Sequence, residues 1–264
     1  MSMHFKPKKK LGQNFLFDQN VQRKLVAAFE LSPQDIILEI GAGRGELTAY
    51  IAKIASFVYA VEIDKGLCQI LKNKLNEFKN IKIVTKDILK LNLKTLLGEH
   101  NTKKIKVIGN IPYYISTPIL AHLFKYREFV ENIFITVQKE FAQRVIAKPG
   151  TKDYGALSCF VQYYAQPQVV FLIKKTSFFP QPKVDSCLLK LNLRPELPLA
   201  LKKERLFFRI VRASFNQRRK ILRNSLKGVV PQERLDKFFA TFGLDPKTRP
   251  ERLCLQYFIN LVKF

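Results

Sequence analysis

Seven short apolar runs in the first 193 residues constrain the fold more than any other feature. They are Ile36–Ile40 (IILEI), Phe57–Glu62 (FVYAVE), Ile81–Val84 (IKIV), Ile105–Gly109 (IKVIG), Ile133–Val137 (IFITV), Val169–Ile173 (VVFLI) and Cys187–Leu193. Strands whose apolar residues run on rather than alternate have both faces covered, as in a parallel sheet. Helix-period stretches lie between them, at Gly45–Ala55, Lys65–Phe78 and Ser116–Tyr126. This order predicts an α/β domain with a doubly wound, Rossmann-like sheet. Such sheets bind ligands beyond the carboxyl ends of their strands, so the chemistry is to be sought where each run stops.

The first run stops in EIGAGRGEL (39–47). Its glycines at 41, 43 and 45 permit positive φ and close backbone approach at a strand-to-helix turn. A dinucleotide fingerprint would need Gly at position 46, where Glu46 stands. The second run ends on Glu62, a carboxylate placed to accept both hydroxyls of a ribose. The third leads into Asp87, which can accept the amino protons of an adenine ring. Gly41, Gly43, Glu62 and Asp87 together suit an adenosine ligand. No phosphate-gripping Lys or Arg motif accompanies them, so S-adenosylmethionine fits better than a dinucleotide.

The fourth run ends in NIPYYISTPIL (110–120). An amide followed by two aromatic rings is unusual after a buried strand. It makes sense if the methyl acceptor is the exocyclic amine of a nucleobase, whose lone pair is delocalised into the ring. The Asn110 side-chain oxygen and the Ile111 carbonyl can each accept one N–H, favouring a tetrahedral nitrogen with its lone pair aimed at the methyl group. Pro112 fixes φ and removes a competing donor. Tyr113 offers a stacking platform, worth about 1–3 kcal/mol per base. Tyr114 is expected to serve as packing. Positioning and polar complementarity would then carry most of the rate. A second aromatic segment, TSFFPQPKVDSCLLKL (176–191), is stiffened by prolines, and its Phe178 is placed to close the other face of the base.

Around RPELPLAL (194–201) the periodicity lapses, and beyond it no strand pattern survives. The expected organisation is a catalytic domain over 1–195 with a basic N-terminal arm over 1–17, then a small all-helical domain over 196–264. Helices are predicted at 203–214, 217–227, 231–242 and 250–262. Residues 196–264 carry 16 Lys/Arg against 6 Asp/Glu, and RASFNQRRKILRN (212–224) concentrates Arg212, Arg218, Arg219, Lys220 and Arg223. The whole chain has a net charge of +25. Such an excess attracts polyanions through counterion release, with RNA the leading reading and an anionic membrane surface the lesser one.

Several classes of function are disfavoured. No apolar run approaches the ~20 residues of a spanning helix, and the basic start MSMHFKPKKK has no apolar region behind it. Cys68, Cys159, Cys187 and Cys254 form no CxxC pair and sit in apolar contexts, as reduced thiols of a cytoplasmic protein do. With three histidines in the chain, a metal centre or a His-based triad is not expected.

Taken together, KKKLGQNFL (8–16), EIGAGRG (39–45), VEID (61–64), KDIL (86–89), NIPYYISTPIL (110–120), QKEFAQRV (138–145), PGTKDYGALS (149–158), FFPQPKVDS (178–186) and FNQRRKILRNSL (215–226) resemble the bacterial small-subunit rRNA adenine dimethyltransferases. The resemblance covers nearly the whole chain. It implies methyl-donor contacts at Asn14, Leu16, Gly41, Glu62 and Asp87, with Asn110 touching both donor and base and with Tyr113 and Phe178 sandwiching the base. The implied substrate is a pair of adjacent adenosines in a hairpin loop near the 3′ end of 16S rRNA, each methylated twice at N6. The chain is expected to act as a monomer on the immature small subunit. Two positions depart from the family pattern: Asn14 stands where several members have His, and Tyr114 where Asn is frequent. Related large-subunit methylases, DNA adenine methylases (which usually carry an acidic D-P-P-Y type of motif) and a ribosome-assembly factor that binds immature subunits and for which methylation is secondary remain the alternatives.

Overall fold

The computed structural model describes residues 7–98, 104–217 and 220–264. In chain order the elements are β1 Phe15–Leu16, α1 Gln19–Ala28, β2 Ile36–Ile40, α2 Glu46–Ala52, β3 Phe57–Glu62, α3 Lys65–Lys74, β4 Ile81–Thr85, α4 Leu93–Leu97, β5 Ile105–Asn110, α5 Ser116–Lys125, β6 Val130–Gln138, α6 Lys139–Ile146 and α7 Ala156–Tyr164. There follow β7 Ala165–Ile173, β8 Phe178–Phe179, β9 Ser186–Leu193, α8 Leu201–Asn216, α9 Leu222–Ser225, α10 Gln232–Thr241 and α11 Leu255–Lys263. The chain divides into two compact units, Met1–Ala142 with Gln168–Leu193, and Gln143–Pro167 with Arg194–Phe264.

The sheet has the order β4-β3-β2-β5-β6-β9-β7. All seven runs seen in the sequence are strands of it. From β4 to β6 the pairing is parallel, which brings the carboxyl ends of β2, β3, β4 and β5 to one edge. The doubly wound α/β sheet forms as expected, and one pairing departs from the parallel pattern, because β9 runs antiparallel to β6. Between β7 and β9 there is no crossover helix, only residues 174–185 with a single 3-10 turn and the two-residue β8. A parallel return needs a crossover of a dozen or more residues, usually a helix.

A second, two-stranded ribbon pairs β1 with β8, with Phe15 opposite Phe179 and Leu16 opposite Phe178. Nothing in the residue pattern announces it, since two residues are too few to show a period. One side of the ribbon enters the core: Leu16 and Phe178 pack with Leu25, Phe29, Ile37, Leu47, Val58, Ile108, Phe134 and Leu188. Buried apolar area of this kind, at about 25 cal/mol per Å², is what holds such a short ribbon in place.

The helical unit takes in more of the chain than expected. Its boundary at 193/194 falls close to the predicted 195/196, but residues 143–167 belong to it as well. The reason is aromatic. Tyr163 on α7 stacks on Phe207 of α8 with centroids 4.7 Å apart, and Tyr163 and Tyr164 both donate to the Glu204 carboxylate. Within the stretch 217–227 predicted as a helix, α9 covers Leu222–Ser225, and residues 218–219 lie outside the described residues. The other three C-terminal helices form near their predicted places. All four cysteines are free, and three of them are buried. Among the described residues no helix is long and apolar enough to cross a membrane.

Candidate active site

At the carboxyl edge of the sheet lies a cavity of about 180 Å³. Its floor comes from strand ends and its rim from the arm at residues 11–15. Gly41 and Gly43 follow β2 with φ of +73° and +59°, a region costly to side-chain-bearing residues. The turn bends the backbone so that the Gly43 N–H donates to Glu62 Oε2 at 3.0 Å. The Asp64 N–H donates to Oε1 of the same carboxylate at 2.9 Å. Glu62 is thus buried and held at both oxygens, and each oxygen keeps lone-pair capacity for a further donor. Burial pushes its carboxyl above the ordinary value, partly offset by these backbone hydrogen bonds.

Asp87 caps the 3-10 turn Ile88–Lys90 by accepting from the Leu89 N–H through Oδ1, and it lines the cavity. Asn110 ends β5 and lies opposite Thr136 of β6. Its Nδ2 donates to the Asn14 backbone carbonyl at 2.9 Å. That bond sets which way the amide points and leaves Oδ1 as an acceptor without a partner among the described residues. Ile111 is buried, which anchors the main chain at the cavity, and Pro112 holds φ at −59°. The Tyr113 hydroxyl pairs with Ser186 Oγ, fixing the ring at the cavity wall. Burial raises the Tyr113 phenol, so it stays neutral.

The arm is tied down by Asp64. Its carboxylate takes Lys8 Nζ at 2.9 Å and Gln13 Nε2 at 3.2 Å, and caps α3 through the Gly66 N–H. Burial alone would raise the Asp64 carboxyl; these bonds outweigh it and hold it below the ordinary value. Tyr114, expected as packing, is 63% exposed, and its ring lies over Gly12, where an added Cβ would sit 3.0 Å away. The role of Asp64, and of Tyr114 as a wall of the cavity, escaped the sequence reading. The only sign of either was position, since Asp64 lies two residues beyond Glu62 and Tyr114 next to Tyr113.

Of the residues expected at the site, Asn14, Gly41, Gly43, Glu62, Asp87, Asn110, Ile111, Pro112 and Tyr113 line the cavity. Leu16 and Phe178 do not. Alternation along the ribbon turns both into the core, where Phe178 is 2% exposed, while its neighbour Phe179 faces outward at 64%. The expected sandwich of Tyr113 and Phe178 is therefore not formed by these side chains. In the helical unit Arg212 and Lys220 are exposed, and Arg218 and Arg219 lie outside the described residues. Arg223 differs from expectation: it ion-pairs with Asp236 and lies 5.1 Å over the Phe239 ring, so its charge already has partners.

The residues fit an adenosine-bearing methyl donor. A glycine turn, a carboxylate able to accept a pair of hydroxyls and a second acid with an oxygen to spare share one cavity. Among the described residues, the sole lysine or arginine lining it is Lys86. Among the same residues no group of three His, Cys, Asp or Glu is placed to hold a metal.

Comparison with known proteins agrees. The family model described as ribosomal RNA adenine dimethylase matches residues 4–264. The ribosomal RNA small subunit methyltransferase A of Lachnoclostridium phytofermentans is 43% identical over 259 residues, spanning 96% of this chain and 89% of that protein. Its counterpart in Moorella thermoacetica is 42% identical over 262 residues, with 97% and 91% covered. Among solved structures, a dimethyladenosine transferase from Plasmodium falciparum superposes with a TM-score of 0.81 at 25% identity, covering 94% and 95% of the two chains. The 23S rRNA methyltransferase ErmE gives 0.73 at 26% identity, with 95% and 98% covered.

Proposed function

The chain belongs to the ribosomal RNA adenine dimethylase family, methyltransferases dependent on S-adenosylmethionine, and from that premise we propose that it dimethylates N6 of two adjacent adenosines in the 3′-terminal hairpin loop of 16S rRNA. The substrate is the immature small ribosomal subunit, and the enzyme works on it as a monomer in the cytoplasm. Identity of 40–43% to ribosomal RNA small subunit methyltransferases, over nearly the whole chain, supports the choice of subunit.

The observation that carries the reading is the Asn110 amide. Because Nδ2 is bound to the Asn14 carbonyl, Oδ1 is the group offered to an incoming amine. Oδ1 and the Ile111 carbonyl accept the two N–H bonds of the target nitrogen, which turns its lone pair out of conjugation with the ring. Tyr113 holds the base by stacking, its ring kept in place by Ser186. Glu62 accepts the ribose hydroxyls and Asp87 the adenine amino group of the donor, while Gly41 and Gly43 let the backbone come close. Bound S-adenosylmethionine supplies an electrophilic methyl group. No strong general base is required, since the methylated nitrogen is acidic enough to lose its proton to water. The residues therefore contribute mainly alignment and polar complementarity.

Arg212 and Lys220, with Arg218 and Arg219, supply phosphate contacts from the helical unit. The direct test is transfer of labelled methyl groups to small subunits lacking the modification, followed by mapping of the labelled nucleotides. Two adjacent dimethylated adenosines in the hairpin loop are expected. Label in 23S rRNA, or elsewhere in 16S rRNA, would overturn the assignment.

A further inference from the structure

Beside the methyl-transfer cavity is a second, open recess of about 310 Å³, lined by Pro7, Phe15, Phe17, Arg44 and Phe179. Phe17 is 58% exposed and Phe179 64% exposed. Two phenylalanine rings left so open on one small patch lose the hydrophobic stabilisation that normally keeps such side chains inside. The ribbon accounts for their direction: Phe179 alternates outward from the buried Phe178, and Phe17 follows the buried Leu16. The Phe17 N–H donates to the Ser177 carbonyl, so the two segments are tied together on either side of the recess. Arg44 comes from the glycine turn after β2, and its guanidinium, 3.8 Å from Glu46, remains largely exposed.

The recess adjoins the site already described, since Phe15 lines both cavities. Exposed aromatic rings beside an exposed guanidinium, on a chain of net charge +25, match an unpaired nucleotide: rings for the base face, cation for the phosphate. A base drawn out of a hairpin loop for modification leaves its neighbours unstacked, and those neighbours need a surface.

We infer that Phe17, Phe179 and Arg44 form a stacking subsite for an unpaired nucleotide adjoining the target adenosine in the RNA substrate. The inference rests on the proposed RNA reading and adds a subsite to it. The subsite holds the flanking nucleotide while Tyr113 holds the target, so it acts on substrate affinity and placement and takes no part in methyl transfer or in donor binding.

The test compares F17A, F179A, the double variant and F179W on small subunits lacking the modification. Four readouts are taken: the dissociation constant for the particle, the rate at saturating particle, affinity for S-adenosylhomocysteine, and chemical protection of the loop nucleotides. Each alanine should weaken particle binding several-fold, and the pair on the order of tenfold or more. F179W should restore it. Affinity for S-adenosylhomocysteine should not change, which also verifies that the variants are folded. Protection should be lost at one or two nucleotides beside the target adenosines. Wild-type binding and footprint in the double variant would overturn the subsite. So would weakened binding with the loop footprint intact, which would assign the patch to a ribosomal protein. Failure of the wild-type chain to methylate the particle would instead strike the underlying functional reading, and so the two failures are separable.

Discussion

Asn110 and Arg212 are both assigned to the same RNA, yet their surroundings are opposite. Asn110 is held by the Asn14 carbonyl, and its neighbours at the cavity are held likewise: Glu62 by two backbone N–H groups, Asp87 by the Leu89 N–H, Tyr113 by Ser186. On the helical unit Arg212 and Lys220 are exposed, and their side chains form no hydrogen bond or ion pair among the described residues. Groups that must meet a reacting atom are fixed in advance, because a small misplacement forfeits rate. Charges that meet phosphates act through a field that tolerates motion, and they give affinity without demanding a single geometry.

The largest break in this comparison comes from Asn110. N110A removes the oriented amide oxygen proposed to meet the target amine, and a loss of about 10²–10³ in kcat is expected, by analogy with deleting a preorganised transition-state group. Particle binding should be nearly unchanged. N110D is the sharper variant, since it keeps an acceptor but loses the N–H that the Asn14 carbonyl takes. If N110D were as active as wild type, the fixed amide would be irrelevant and the contrast with Arg212 would collapse.

Glu39 is the exception inside the ordered region. It sits within β2, wholly buried, and neither its Oε2 nor the nearby Thr48 Oγ1 has a hydrogen-bond partner among the described residues. Burial pushes its carboxyl up to about 8 from an ordinary 4.5, so the group is mostly protonated at neutral pH. The folded state then holds a proton that the unfolded chain releases, and stability falls as pH rises from 4.5 to about 8. E39Q should match wild type in acid and exceed it by on the order of a few kcal/mol at pH 9. Urea unfolding at three pH values measures this, and parallel curves for the two proteins would remove Glu39 as the cause.

A smaller effect is expected at the glycine turn. G43A places a side chain at φ +59°, with its Cβ 3.4 Å from the Phe15 ring. Left-handed backbone costs a non-glycine residue about 1–2 kcal/mol. If the turn relaxes to avoid that cost, the Gly43 N–H leaves Glu62, and S-adenosylhomocysteine should bind roughly tenfold more weakly by calorimetry. An unchanged dissociation constant would show that the cradle is not fixed through Gly43.

How much of this was legible beforehand follows the same division. Continuous apolar runs announced β2, β3, β5 and β6 because a strand covered on both faces is apolar along most of its length, whereas β4 at the sheet edge is only partly covered. The ligand edge followed from topology. Glu62, Asp87 and Asn110 were legible as polar residues at the ends of such runs. The β1–β8 ribbon was not, since pairing of two residues is decided by the core beneath it. That core reversed the roles of Phe178 and Phe179, which adjacent identical letters cannot distinguish. The partners of Arg223 were hidden for a related reason: Asp236 and Phe239 reach it from α10, and nothing within 212–224 reveals where that helix packs.

Arg223 therefore gives the finest test of the comparison, because it has the chemistry of one class and the surroundings of the other. Paired with Asp236 and laid over Phe239, it should behave as a held group even though it is a cation in a basic segment. R223A should lower stability by about 1 kcal/mol, the scale of a partly exposed ion pair with a cation–π interaction. The salt dependence of particle binding should stay as it is. R212A with K220A should do the reverse, leaving the unfolding midpoint in place and reducing the slope of log K against log salt by roughly 0.7 for each phosphate no longer neutralised. A slope that changed with R223A and not with the double variant would place RNA binding on the held arginine. Arginine surroundings would then have failed as a guide to function in this unit.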